Sequence, residues 1–519
     1  GSERSARRRA RKVAAGTSGG RARFWRATFP EAACRAGAPC RTRPSSPLPV
    51  YILVADGVRP DTLAAALDSG SLPALARLRD EGGLHELTSV FPSVTGPAYA
   101  PFVMGRYPAD VGLPALRWFD RARTAASWPH YTRSYVGLEG LRLDGDLDAE
   151  APTAWELAGR SLGALNVIGR GLPARDRLGR SLGFVLRTGL VHFTGDLRGW
   201  LAIDRQIGAD LVERVRRERP QFVFAALTGV DKSSHAEGHD APVVRDALEI
   251  VDQVAAALRA DAEAAGTWAD THLWIVSDHG HSPVAYHDDL AHGLRELGHR
   301  VVAHPWVYGM RPDVAVMVSG NAMAHVYVEL ARRERPWWPQ LAATWAPLAD
   351  ALLARPSVDL LLLPHSEDAC LVRARGRGSA MVERSRGWSG ELRYAYRPVD
   401  GDPLLLGGEI DPLDAAEAHA RTAASDYPDA LVQIAHLAGS ARAGELILSA
   451  ARGWDFRERY EPIPHVSSHG ALHREHMLVP LLVNHPVAEV PRRTVDVFTS
   501  AMTALGVEVP VEAEGHSFV

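Results

Sequence analysis

The amino-acid sequence predicts an α/β fold: a mostly parallel central sheet with helices on both faces, plus cap insertions. Short continuous apolar runs recur along the chain and alternate with segments of helical spacing. This pattern is typical of parallel strands that are covered by helices. Acidic and histidine side chains follow several of the runs closely. Because ligands of such sheets collect beyond the carboxyl ends of the strands, we expect these side chains to converge on one crevice.

The first elements are predicted from apolar spacing and from turn residues. A strand over Val50–Ala55 comes directly before Asp56. Apolar residues at helical spacing predict helical structure between residues 60 and 79, and Gly and Pro predict a break at residues 70–73. A second strand is predicted over residues 86–90, so the chain alternates between strand and helix from its first element.

Thr95 is predicted to cap the N-terminus of the next helix, which continues to Gly105. Threonine is a favoured N-cap residue, and Pro97 is tolerated in the first helical turn. The Thr95 hydroxyl would then lie at the positive end of the helix dipole.

Later elements repeat the pattern. Strands are predicted over Phe222–Leu227 and residues 272–277, and an amphipathic helix is predicted over residues 242–259. The other predicted strands cover Val314–Ser319 and residues 325–329, 445–449 and 477–483.

Length and charge predict the domain organisation. A chain of 519 residues exceeds a typical single core, so we expect one large α/β domain with a sizeable insertion, or two domains. We place the folded domain over residues 50–517, with insertions at about 120–219 and 330–440. Residues 1–49 are interpreted as a disordered basic arm followed by a Pro-rich linker, because the first 43 residues carry twelve Arg and Lys against two Glu. Such an arm could contact nucleic acid or anionic lipid, but a solvated tail is favoured and no stable nucleic-acid complex is expected.

Composition also bears on the compartment. No apolar stretch reaches the ~18 residues that a membrane-spanning helix needs. The three cysteines, Cys34, Cys40 and Cys370, do not make a disulfide framework and fit a reducing compartment better. A cytoplasmic location is therefore slightly favoured, and an exported form whose signal has been removed stays an alternative.

Several potential metal ligands lie far apart in the sequence. Asp231 and His235 are four residues apart, which brings both to one side of a helical turn, and Asp278 and His279 are adjacent. His469 and Asp56 extend the set. Taken singly, such residues have structural alternatives, such as a helix cap for Asp56 or a loop histidine for His235. Together, imidazole and carboxylate ligands suit Zn²⁺ best, with Mn²⁺ or Fe²⁺ as alternatives.

These motifs resemble those of the type I phosphodiesterase/nucleotide pyrophosphatase family of the alkaline phosphatase superfamily. The matching segments keep the order of the family: residues 55–61, 91–95, 105–108, 231–235, 277–280, 468–470 and 493–517. The resemblance implies hydrolysis of a phosphodiester or phosphoanhydride with two divalent metal ions. It implies that Asp231, His235 and His469 hold one ion, that Asp56, Asp278 and His279 hold the other, and that Thr95 contacts this second ion and is the nucleophile of a phosphothreonine intermediate.

One departure from the family concerns the phosphate oxygens. Family members usually place an Asn shortly after the nucleophile, whereas Gly96, Pro97 and Ala98 follow Thr95 here. We expect the backbone N–H of Gly96, or the cation of Lys232, to contact the phosphate instead; Lys232 could equally be a solvated surface lysine.

The substrate is expected to be a small phosphate ester, with a nucleotide, a lipid head group and a small alkyl diester all open. Apolar residues of the first insertion, Phe184, Val185 and Leu190, could receive the second ester group of a diester. Two other functions remain: a phosphomonoesterase or phosphotransferase of the same superfamily, and an inactive metal-bound scaffold.

Overall fold

The computed structural model describes residues 48–124, 130–304, 311–457 and 465–519 of the chain. The basic arm predicted for residues 1–49 lies outside the described residues except for its last two positions, and so do Cys34 and Cys40. Among the described helices, none is long and apolar enough to cross a membrane.

The strands and helices are numbered in chain order. The strands are β1 Val50–Ala55, β2 Gly83–Thr88, β3 Arg117–Phe119, β4 Thr132–Ser134, β5 Ser161–Ala164, β6 Arg177–Leu178, β7 Phe222–Leu227, β8 His272–Val276, β9 Ser282–His287, β10 Val301–Ala303, β11 Val314–Ser319, β12 Met323–Val328, β13 Val358–Ser366, β14 Ala369–Ala374, β15 Gly378–Arg386, β16 Leu392–Pro398, β17 Ile410–Leu413, β18 Leu446–Ala450, β19 Gly453–Asp455, β20 Ser467–Ser468 and β21 Leu478–Val483. The α-helices are α1 Pro60–Asp68, α2 Pro73–Glu81, α3 Ala100–Met104, α4 Ala154–Leu157, α5 Leu182–Thr194, α6 Leu197–Glu218, α7 Gly229–Glu237, α8 Pro242–Ala264, α9 Leu290–Glu296, α10 Trp338–Leu353, α11 Ala415–Thr422, α12 Ala430–Gly439, α13 Arg474–Met477 and α14 Val495–Ala504.

The main sheet has seven strands in the order β2-β21-β8-β1-β7-β5-β6. Strands β8, β1, β7, β5 and β6 are parallel, and β21 is antiparallel to both of its neighbours. This confirms the predicted α/β class with a mostly parallel central sheet. The sequence predicts this fold class because β1 is a continuous apolar run. Every position of β1 is buried, as a central strand between two helical layers must be.

Alternate residues of β1 enter different hydrophobic cores. Ile52 packs in the core that contains residues of α3 and α14. Leu53 packs on the opposite face, in the core that contains residues of α1, α2, α6 and α8. Helices therefore cover both faces of the sheet, and the functional groups must leave the sheet at the ends of its strands.

A second sheet has nine strands in the order β10-β11-β12-β18-β13-β14-β15-β16-β17. Its strands pair antiparallel except for β10 with β11. The segment predicted as a second insertion, residues 330–440, supplies β13 to β17 of this sheet. The segment predicted as the first insertion, residues 120–219, supplies β5 and β6 at the edge of the main sheet, together with α5 and α6.

Candidate metal centre and active site

The candidate ligands lie at the carboxyl ends of three adjacent strands. Asp56 follows β1, Asp231 and His235 lie on α7 directly after β7, and Asp278 and His279 follow β8. Because β7, β1 and β8 are parallel neighbours, their carboxyl ends meet at one edge of the sheet, as the sequence predicts.

His469 joins this centre from the distant segment after β20. Its Nε2 lies 3.6 Å from Asp231 Oδ1, and the ring stacks on His279 with 3.6 Å between ring centroids. The fold thus brings the seven predicted residues together, with six of them buried and Thr95 half-buried.

Two compact groups of ligand atoms are present among the described residues of this centre. One consists of Asp56, Asp278 and His279, as the resemblance implies. The other consists of Asp231, His469, His279 and His281, whose ligand atoms all lie within 4.8 Å of one another. His235 lies beside this second group, with its Nε2 3.2 Å from Asp231 Oδ1. His281 is absent from the predicted set, although it stands only two residues after His279.

The hydrogen bonds of the histidines orient their Nε2 atoms towards the carboxylates. His235 and His469 each place Nδ1 2.9 Å from a backbone carbonyl oxygen, that of Ser467 and that of Ser93 respectively. A carbonyl oxygen only accepts, so Nδ1 carries the proton, and a neutral ring presents the lone pair of Nε2. His279 repeats this arrangement with the neighbouring carbonyl at 3.2 Å. Metal-binding histidines are held in this way in other proteins.

The carboxylates of the centre are deeply buried and repel one another. Burial raises the pKa of Asp56 well above its usual range, and the charges of Asp278 and Asp231 add to the effect. Burial also raises the pKa of Asp278, whose Oδ2 is buried without a hydrogen-bond partner among the described residues. Burial would raise the pKa of Asp231 too, but Lys232 and His235 lower it well below its usual range. A bound divalent cation would compensate this concentration of negative charge.

The donor set therefore fits divalent metal ions. Imidazole nitrogens with free lone pairs face carboxylate oxygens at distances of 3.2 to 3.6 Å, and these side chains are buried. Mixed imidazole and carboxylate ligands are those of zinc sites in proteins.

Thr95 contacts the group that contains Asp56. Its Oγ1 lies 3.2 Å from Asp56 Oδ1 and 2.9 Å from His279 Nε2. The prediction that Thr95 is an N-cap residue is wrong: a short 3₁₀ helix, Pro97–Tyr99, begins after Gly96, and α3 follows it. Gly96 has a φ of 94°, a conformation that L-residues avoid, so the chain turns there and leaves the Thr95 hydroxyl directed at the carboxylate instead of at backbone N–H groups.

Lys232 is a partner of the centre. Its Nζ lies 2.6 Å from Asp231 Oδ2, and its side chain is 29% exposed. Burial acts to lower the pKa of Lys232, but the carboxylates of Asp231 and Asp56 outweigh burial and raise it. The lysine therefore stays charged beside the predicted metal ligands.

Two tyrosines that the sequence did not single out complete the surroundings of Thr95. The Tyr99 hydroxyl donates a hydrogen bond of 3.1 Å to Asp56 Oδ2. The ring of Tyr135 lies against Gly96, where a Cβ atom would come within 2.5 Å of it. Burial and the carboxylates of Asp56 and Asp278 raise the pKa of Tyr135 well above its usual range, so its hydroxyl keeps its proton. Tyr99 stands four residues after Thr95, whereas nothing in the sequence marks Tyr135.

The model of the type I phosphodiesterase / nucleotide pyrophosphatase family matches residues 50–345, which span β1 and the strand ends described above. The chain belongs to this family. The chain is therefore an enzyme, a hydrolase of the phosphodiesterase/pyrophosphatase type. Members of the family are metal-dependent, and the chain has buried Asp and His groups suited to metal ions.

Solved structures of alkaline phosphatase-like enzymes share the fold. Phosphonoacetate hydrolase from Sinorhizobium meliloti 1021, in complex with phosphonoformate, is 18% identical with a TM-score of 0.52, over 89% of this chain and 96% of that chain. Human ectonucleotide pyrophosphatase / phosphodiesterase 5 is 14% identical with a TM-score of 0.53, over 91% and 97%. An inactive form of the murine protein, in complex with AMP, is 15% identical with a TM-score of 0.52, over 91% and 98%. No curated protein sequence matches the chain.

Proposed function

We propose that the enzyme hydrolyses a phosphodiester or phosphoanhydride through a covalent intermediate on Thr95. The observation that carries the proposal is the position of Thr95 Oγ1, 3.2 Å from Asp56 Oδ1 and 2.9 Å from His279 Nε2. An alcohol in contact with a buried carboxylate and an imidazole lone pair stands where an activated nucleophile is needed.

Two divalent ions fit the donor set, with Zn²⁺ favoured and Mn²⁺ or Fe²⁺ as alternatives. Asp231, His235 and His469 would hold one ion, and Asp56, Asp278 and His279 would hold the other beside Thr95. Bound there, the ions would supply the positive charge that activates a hydroxyl at neutral pH and stabilises the charge on the attacking and leaving oxygens.

The chain's own groups then perform an in-line displacement. The Thr95 hydroxyl proton is directed at Asp56 Oδ1, and Thr95 Oγ1 forms a bond to phosphorus while the bond to the leaving oxygen breaks. The product is a phosphothreonine that still carries the second ester group. Water attacks phosphorus in the second step, restores the Thr95 hydroxyl and releases a phosphomonoester.

Three groups are proposed to contact the phosphate oxygens. The backbone N–H of Gly96 follows the nucleophile directly. Lys232 contributes positive charge, although its ion pair with Asp231 Oδ2 compensates part of that charge. Tyr135 contributes an O–H donor from the ring packed on Gly96. Together they take the place of the asparagine that the sequence lacks.

The substrate is proposed to be a small phosphate ester, such as a nucleotide or a lipid head group. Helix α5 offers apolar surface for a second ester group, because Val185 and Leu190 are 53% and 65% exposed on it. On the next helix, the ring of Trp200 lies 5.8 Å from Lys232 Nζ. An aromatic ring thus lies beside Lys232, next to the centre.

Comparing kcat/KM on metal-replete protein for p-nitrophenyl phosphate and for its methyl or phenyl diester tests the proposal. We expect the diester to be preferred, because a monoester dianion needs more cationic partners than Lys232 supplies. A clear preference for the monoester would favour the phosphomonoesterase or phosphotransferase alternative. Bound metal with no turnover of either ester would favour the inactive scaffold.

A further inference from the structure

His281 occupies a fixed position beside Asp231. The side chain is fully buried, its Nε2 lies 3.0 Å from Asp231 Oδ1, and its Nδ1 lies 3.2 Å from Ser467 Oγ. The fold makes room for the ring at Gly57, where a Cβ atom would come within 2.9 Å of His281 Nε2. The loop after β1 and the loop after β8 are therefore shaped around this imidazole.

The hydrogen bonds decide which ring nitrogen of His281 carries a proton. Ser467 Oγ donates its only proton to the carbonyl oxygen of Ser282 at 3.0 Å. Ser467 can therefore only accept from His281, and Nδ1 is the donor. A neutral ring then presents the lone pair of Nε2 to a carboxylate oxygen 3.0 Å away. Two lone pairs at that distance repel, and a cation between the two atoms removes the repulsion.

The distances fit a single ion. Asp231 Oδ1 lies 3.0, 3.2 and 3.6 Å from the Nε2 atoms of His281, His235 and His469. Ligand atoms at ~2.0 to 2.1 Å from a tetrahedral zinc ion are roughly 3.3 to 3.4 Å apart. All three distances lie within a few tenths of an ångström of that spacing. His235 and His469 donate from Nδ1 to carbonyl oxygens, and His281 repeats their arrangement with a hydroxyl oxygen.

We propose that His281 is a fourth protein ligand of the ion held by Asp231, His235 and His469, and that this ion is bound by three imidazoles and one carboxylate. The inference rests on the proposed function for the presence of that ion. Four protein ligands would hold this ion tightly in the resting enzyme, and expansion to five-coordination would admit a phosphate oxygen. An imidazole-rich site also selects Zn²⁺ over Mn²⁺.

Metal affinity measured on the full-length chain tests the inference. Competition with a zinc chelator should show two zinc ions per wild-type chain, and His281→Ala should weaken one of them by more than about 100-fold, beyond the range caused by loss of an outer-shell partner. His325→Ala is the matched control, because His325 is also fully buried but bonds to the Pro114 carbonyl oxygen. Equal zinc affinity in the two variants overturns the inference.

Cobalt substitution adds a readout of coordination. The visible absorption of the Co²⁺-loaded protein should change in intensity and position in His281→Ala and remain that of the wild type in His325→Ala. Ser467→Ala, which keeps the imidazole and removes its acceptor, should weaken the same ion by about 10-fold, as loss of an outer-shell partner does. An unchanged cobalt spectrum in His281→Ala contradicts the proposal.

A zinc-bound crystal structure of the wild-type protein decides the question even if His281→Ala does not fold. His281 Nε2 should lie ~2.0 to 2.1 Å from the ion, and a separation beyond about 3 Å, with Asp231 and His469 bound, overturns the inference. The outcomes separate the two proposals. Turnover of diesters with zinc affinity unaffected by His281→Ala refutes only the ligand role, whereas two tightly bound ions without turnover refute only the proposed reaction.

Discussion

The contact between Gly96 and Tyr135 gives a sharp prediction about the position of Thr95. A Cβ atom at Gly96 would lie 2.5 Å from the Tyr135 ring, whereas carbon atoms in contact are ~3.5 to 4.0 Å apart. In Gly96→Ala the loop or the ring must therefore move by about 1 Å. A displacement of this size at reacting groups costs on the order of 100-fold in rate, so we expect kcat/KM for a chromogenic diester to fall about 100-fold.

Gly96→Ala should also destabilise the fold, because of the backbone conformation at this position. The φ of Gly96 is 94°, and an alanine forced into such a conformation costs of order 1 to 3 kcal/mol. Gly70→Ala is the matched control, because Gly70 has a φ of 77° and nothing within 4 Å of the added Cβ. Denaturant unfolding should show a loss of stability in both variants, and only Gly96→Ala should lose activity.

A double-mutant cycle identifies the clash as the cause. Tyr135→Ala removes the ring, so adding Gly96→Ala to it should cost far less activity than adding it to the wild type. The metal content of all variants should stay at that of the wild type. Wild-type kcat/KM in Gly96→Ala, or additive losses in the double variant, would refute the packing of this ring against the nucleophile loop.

Three further substitutions test the roles of Thr95, Tyr135 and His436. Thr95→Ala should abolish diester turnover and keep the metal content of the wild type by elemental analysis, because the other ligands remain; substantial residual activity would refute the nucleophile. Tyr135→Phe should lower kcat by about 100- to 1,000-fold at unchanged metal content, as loss of one donor to the phosphate does, and an unchanged kcat would exclude that role. Burial acts to lower the pKa of His436, but the carboxylates of Asp110 and Glu514 outweigh burial and raise it. The charged form of His436 therefore stabilises the fold at low pH, and this stabilisation is lost as pH rises through the raised pKa. His436→Gln should therefore destabilise the protein more at pH 6 than at pH 9 in denaturant unfolding, and a loss that does not depend on pH would contradict this.

The parts of the fold that depend on local sequence were predicted well. β1 and β7 have the predicted bounds because each is a continuous apolar run ended by polar or turn residues. The predicted break at residues 70–73 separates α1 from α2, since Gly and Pro interrupt helices wherever they pack. β11 also has its predicted bounds, and the remaining predicted strand ends differ from the observed ones by at most three residues, the usual uncertainty where terminal hydrogen bonds depend on tertiary contacts.

The resemblance of the motifs predicts the seven residues of the centre, but several of their contacts with distant segments could not be predicted. Thr95 looks like a helix cap because the local pattern is that of a cap, but Asp56 and His279 contact its hydroxyl from the loops that follow β1 and β8. His281 carries no local signal, because its contacts are with Asp231 and Ser467, which lie 50 and 186 residues away. Tyr135 carries no local signal at all, since only the fold places its ring on Gly96.

The most direct test of the account is to trap the covalent intermediate. Metal-replete wild-type protein would be mixed with excess diester, quenched in acid within a turnover, and digested for mass spectrometry. We expect the peptide containing Thr95 to carry a phosphoryl group that retains the second ester, and Thr95→Ala to show no adduct at any residue. Wild-type turnover without an adduct on Thr95, together with activity that survives Thr95→Ala, would contradict it.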